Sequence, residues 1–162
     1  MKPSYFDDFH VGQEFTTKAR TVTEADVVNF AALSWDTNQL HTDSEFAKGT
    51  LFGERIAHGM LGIVIHSGLS QMLGLMEGTI LAFLGMTWNF HLPIKIGDTV
   101  HVVQRVKEMR EASKSDRGVL AFQKELINQR GEVVQTGTTT VLLARELSEN
   151  NLNILRPDSG RL

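Results

Sequence analysis

The sequence predicts an α+β domain in which an antiparallel sheet lies against one long helix, and three observations carry that expectation. The run from His58 to Met76 is strongly apolar, and from Met60 to Ile65 it is apolar nearly all round, as in a helix buried on most sides. Four strand-like segments follow it with no helix between them, which argues against the crossovers of a parallel sheet. The 162 residues suit one ordinary domain. We place that domain at 1–146. The remaining 147–162 form a C-terminal tail, either frayed or packed as an arm on a neighbour through Leu152, Ile154 and Leu155.

In chain order, residues 15–22 read as a short strand rich in β-branched Thr16, Thr17, Thr21 and Val22. Thr23 then reads as a helix N-cap, with Glu24 and Asp26 in the first turn. Val27, Phe30, Ala31 and Leu33 or Ser34 recur at spacings of three and four, one face of that helix. Residues 34–43 cluster Asp, Asn, Ser and Thr and are expected to form a loop. Ser44 is expected to cap a short helix stopped by Gly49. The central helix carries Gly59, Gly62, Gly68 and Gly74, each costing about 1 kcal/mol against Ala in a helix interior. Close approach of other backbone, as from a sheet wrapped around it, explains that cost. Beyond it, strands are expected at 80–92, 99–106, 119–127 and 132–143, the last two joined around Asn128-Gln129-Arg130-Gly131.

Composition removes several function classes. Sixteen Lys and Arg against nineteen Asp and Glu give a net charge of −3 with no basic block, so no nucleic-acid partner is expected. With no cysteine there is neither a disulfide framework nor a thiolate zinc site. The first residues lack the apolar core of a signal peptide. The apolar run is broken by His66, Ser67, Ser70 and Gln71 and is too short to span a bilayer. No membrane partner and a cytoplasmic location are expected.

Two places could carry chemistry. Asp36 and His41 share a loop whose turn can bring a carboxylate and an imidazole to one point, where they could hold a water and move protons. Loop chemistry alone also accounts for them as an Asx turn and an ordinary histidine. Gly59 opens the central helix, where the first N–H groups lack intrahelical partners and no Cβ bars a substrate oxygen. Its N–H could stabilise a developing oxyanion by ~3 kcal/mol in a dry site. Tight packing is the alternative explanation for that glycine. His58 and His66 lie eight residues apart, and without a carboxylate to complete a triad no metal is expected. Buried or capping roles suit both. Phe83, Trp88 and Phe90 fit core or subunit interface.

Taken together, the two places resemble a known family. The strings DTNQLHTD and FGERIAHGML are similar to the signature of MaoC-like dehydratases and (R)-specific enoyl-CoA hydratases, Asp-x-Asn-Pro-x-His followed by His-Gly-Met. The likeness includes the leading DFHVGQEF and the run PIKIGDTV, and it covers nearly all of residues 5–145. Gln39 stands where the family usually has proline. The resemblance implies a hot-dog fold, with Asp36 and His41 as the catalytic pair, Gly59 as donor to the thioester carbonyl and Ser67 as a supporting polar residue. It implies reversible hydration of 2-enoyl thioesters carried by CoA or acyl carrier protein, with acyl-CoA as substrate and no cofactor. A homodimer or higher homo-oligomer is expected, because one hot-dog leaves a sheet edge unpaired. A hot-dog thioesterase would be expected to keep a carboxylate on or near the central helix, which here offers none before Glu77. A non-catalytic acyl-binding subunit is the third reading.

Overall fold

Thr23 sets the first helix as expected: its hydroxyl accepts the Asp26 N–H while the Asp26 carboxylate accepts the Thr23 N–H, a closed capping box. The computed structural model describes residues 4–146. The tail expected at 147–162 lies outside the described residues. Two short strands, β1 (Glu14–Thr16) and β2 (Arg20–Thr21), replace the single strand expected at 15–22. The split falls at Thr17, which turns inward and accepts the Val102 N–H through its hydroxyl.

Helices α1 (Glu24–Ser34), α2 (Gln39–Thr42), α3 (Ser44–Lys48) and α4 (Gly59–Gln71) precede four long strands: β3 (Ile80–Phe90), β4 (Thr99–Glu111), β5 (Arg117–Ile127) and β6 (Val133–Ala144). Two expectations change here. The loop at 34–43 contains one helical turn, α2. The cap of α3 is Asp43, whose Oδ1 accepts the Glu45 and Phe46 N–H groups, because Ser44 is already helical. The sheet is antiparallel in the order β1–β4–β5–β6–β3, with β2 also paired to β4.

Helix α4 crosses the inner face of this sheet and ends sooner than expected, at Gln71. Leu61, Ile65 and Leu69 pack on Val100, Val102 and Leu126. Met60 and Val64 stay more than half exposed, so the helix is buried on one face of the single chain rather than all round. Two of its four expected glycines face close neighbours, and these are side chains rather than backbone. A Cβ on Gly62 would collide with the Gln135 amide, and one on Gly59 would lie 3.0 Å from the Phe90 ring. Gly68 faces open space, and Gly74 lies beyond the helix.

A second apolar cluster holds Phe6, Phe9, Val106, Leu120, Phe122, Val141 and Leu143. Between the two runs a polar row in register: Gln104, Lys124, Gly137 and Trp88 sit side by side on β4, β5, β6 and β3. His66 of α4 packs obliquely on Trp88 with ring centroids 4.6 Å apart and 47° between the planes, and Lys124 Nζ donates to Ser70 Oγ at 3.2 Å. Burial pushes the Lys124 ammonium down to about 8. Burial, helped by the Lys124 charge, pushes His66 down to about 3. Neither His66 nitrogen has a hydrogen-bond partner.

Unfolded, His66 takes up a proton below about pH 6.5; folded, it does so only below about 3. The unfolded chain therefore binds more protons in that window, and stability falls as pH falls through it. Chemical denaturation at pH 7 and pH 4 is expected to show the wild type losing up to ~3 kcal/mol more than His66→Leu. Equal losses in the two proteins would show that His66 charges as easily folded as unfolded.

Candidate active site

The segment from Ser34 to Asp43 is shaped in part by its own short polar side chains. Trp35 ends α1 in the left-handed region at φ 62°, which turns the chain sharply before Asp36. Ser34 Oγ accepts the Asp36 N–H at 3.2 Å, and Asp36 Oδ1 accepts the Asn38 N–H at 3.3 Å. Asn38 Oδ1 then accepts the Leu40 N–H at 2.9 Å and caps α2, which carries His41. Gln39 is the first residue of that turn, where proline is well suited and equally dispensable. The Asn38 cap holds the turn here.

Residues Ile56 and Ala57 run as an extended strip bound to Lys95 and Ile94, which sets the start of α4 beside this loop. Two histidines bridge the gap. His41 Nδ1 lies 2.8 Å from the Ile56 carbonyl oxygen, so it carries the hydrogen and donates, leaving Nε2 as a free acceptor. His58, 2% exposed, donates from Nε2 to the Asp36 carbonyl oxygen at 2.9 Å. The rings of His41 and His58 stack at 3.9 Å with 32° between their planes, and Phe30 covers the far side of His58. His58 is thus the residue whose part the sequence did not reveal. It ties the Asp36 backbone to the head of α4.

Asp36, His41 and His58 each offer a ligand atom within 4.8 Å of the others. A carboxylate therefore does join His58, brought by the fold rather than by the helix spacing that pairs His58 with His66. His41 Nδ1 and His58 Nε2 each donate to a backbone carbonyl, which leaves His41 Nε2 and His58 Nδ1 as the uncommitted ring nitrogens of the set.

His41 and Gly59 line one cavity of about 270 Å³, with Phe52, Ile56, Phe90, Leu92 and Gln135 among its walls. Gly59 is the first residue of α4, at the positive end of the helix dipole. Phe90 belongs to this wall rather than to the core, and Phe83 is 58% exposed on the outer strand. Ser67 is exposed, absent from the lining, and about 12 Å along the helix from Gly59. Asp36 is also exposed and flanks the cavity without lining it.

A one-helix antiparallel wrap with an acid and an imidazole at the head of the central helix defines a hot-dog protein with a polar site beside an apolar cavity. A double hot-dog protein from Mycobacterium tuberculosis superposes with a TM-score of 0.75 at 21% identity over 89% of this chain and 45% of that one, a likeness of fold alone. The MaoC-like domain family matches residues 8–126, and the chain belongs to that family. It is 34% identical to an (R)-specific enoyl-CoA hydratase of Rhodospirillum rubrum over 86% of this chain and 91% of that protein. It is 37% identical to a 3-hydroxybutyryl-CoA dehydratase of Methylorubrum extorquens over 67% and 68% respectively. A monoamine oxidase regulatory protein from Archaeoglobus superposes with a TM-score of 0.84 at 37% identity, covering 90% of this chain and 97% of the other.

The bond from His41 to Ile56 has a spectroscopic consequence. Nitrogen-15 NMR at a pH where the ring is neutral is expected to show His41 protonated at Nδ1 and bare at Nε2. The opposite tautomer would remove the free acceptor from the cavity side.

Proposed function

We propose that this chain is a hydro-lyase that reversibly adds water to 2-enoyl thioesters, or equally dehydrates 3-hydroxyacyl thioesters. The observation that carries the reading is that His41, with its bare Nε2, and Gly59, which opens α4, line one largely apolar cavity with the Asp36 carboxylate alongside. Both Nε2 and the carboxylate are acceptors, so a water between them can donate to each and present its lone pair outward. The thioester carbonyl would receive the Gly59 N–H. That polarises the double bond and stabilises the enolate-like charge formed when the water oxygen bonds C3. The acid–imidazole pair accepts one proton from the water and returns one to C2. One water is added and nothing is oxidised, so the reaction needs no redox cofactor.

Acyl-CoA is the proposed substrate, by extension from the relatives named for CoA substrates, with acyl carrier protein thioesters as an alternative carrier. The (R) stereochemistry is carried over in the same way. A thioesterase is disfavoured because α4 contains no Asp or Glu. Among the described residues no helix is long and apolar enough to cross a membrane. A cytoplasmic location is part of the same proposal.

We also propose a homodimer. Strand β3 is an eleven-residue outer strand, and Phe83, Leu84 and Met86 on it are 40–58% exposed, an edge that would otherwise invite promiscuous pairing. Light scattering is expected to give at least twice the chain mass, reduced to one chain by Leu84→Arg; a monomeric wild type would contradict the dimer.

With crotonyl-CoA, loss of enoyl absorbance without release of free thiol is the expected result. Asp36→Asn and His41→Ala are each expected to lower turnover by roughly 10²–10⁴-fold without unfolding the protein. Near-normal rates in both would remove the pair from the reaction, and thiol release would indicate thioester hydrolysis instead.

A further inference from the structure

The cavity shared by His41 and Gly59 has a single polar residue among its buried walls. Its most buried walls are Gln135, Ile94, Ala57 and Ile56, and of these only Gln135, 2% exposed, is polar. Phe90, His91 and Leu92 form the exposed rim. A bulky thiol carrier has to remain at that rim, so the acyl chain is the part that travels inward.

Gln135 cannot step aside cheaply. Its Oε1 accepts the Trp88 indole N–H at 2.9 Å, and its Nε2 donates to the Gly59 carbonyl at 3.0 Å. Turning the side chain breaks both bonds and leaves the buried amide without partners. Gly62 leaves the room in which the amide sits, with the helix on that side, and Trp88 is bonded to its far end. A methylene chain that reached this point would lie against a desolvated amide or have to displace it.

We propose that Gln135 sets the depth of the acyl pocket and restricts this enzyme to short 2-enoyl chains. The inference rests on the hydratase reading of the same cavity. Gln135 touches no reacting atom; it acts as a specificity-determining stop, and every further methylene met by that stop is disfavoured by ~10–200-fold.

The test is kcat/KM for crotonyl-, 2-hexenoyl- and 2-octenoyl-CoA with the wild type, Gln135→Ala and Gln135→Met. The wild type is expected to favour crotonyl- over octenoyl-CoA by ~10-fold or more. Gln135→Ala, which deepens the pocket, should raise the octenoyl-to-crotonyl ratio by ~10-fold or more. Gln135→Met keeps the side-chain length but loses both anchoring bonds, so its ratio should fall between those of the wild type and Gln135→Ala. A uniform fall on all three substrates with the ratio unchanged would mean that Gln135 only supports the fold, and would overturn the proposal. So would a wild type that hydrates octenoyl-CoA as readily as crotonyl-CoA. Where Gln135→Ala does not fold, Gln135→Asn reads the same ratio with hexenoyl-CoA, one methylene being removed. An active enzyme with a flat chain-length profile sinks the depth limit alone, whereas hydration of none of the three by the wild type sinks the hydratase reading and the depth limit together.

Discussion

Helix α4 is held against the inner face of the sheet by a three-way contact. Gly62 leaves a gap, the Gln135 amide fills it, and that amide is bonded on one side to the Gly59 carbonyl and on the other to the Trp88 indole. The contact joins a helix to two strands that are distant in sequence, so it fixes where α4 begins in space as well as how closely it packs. From that starting point follow the direction of the Gly59 N–H, the position of His58 and, through the His58 bond to Asp36, the course of the loop. The site therefore depends on helix–sheet contact rather than on loop stiffness alone.

The same interface carries a cost. The row of Gln104, Lys124 and Trp88, with His66 above it, divides the apolar interior into two clusters and leaves both His66 nitrogens and both ends of the Gln104 amide without partners. Burying such groups works against stability. The sheet compensates at its edge. Asp98, 3% exposed, accepts from the Lys95 N–H, Gln129 and Arg130, and so ties the turn before β4 to the hairpin joining β5 and β6. Burial alone would raise the Asp98 carboxyl; those donors together outweigh it and hold the carboxyl below its usual range.

Much of this was legible locally. The Thr23 box, the Gly49 stop and the strands of the later half depend on neighbours within a few residues or on simple alternation, and each appears within a few residues of its expected bounds. Strand β4 runs five residues past the expected end at Val106, because a bulge between Val106 and Glu108 lets pairing with β5 resume. Asp36 and His41 stood out because one loop holds both, and their pattern resembles a family signature. Gln135 did not stand out. It is a polar residue on the buried side of β6, and only the proximity of Gly62, Gly59 and Trp88 gives it partners.

By itself the sequence determined the α+β class, the helix caps and turns, the acid–imidazole loop and the glycine heading the central helix, since all of these arise from short-range sterics, hydrogen bonding and periodicity. Tertiary structure alone decided that His58 braces Asp36, that Phe90 and Gln135 wall the cavity, and that Ser67 faces away from it. Those outcomes depend on how closely a helix can approach a sheet, and that distance is set by side chains dozens of residues apart whose meeting no local pattern encodes.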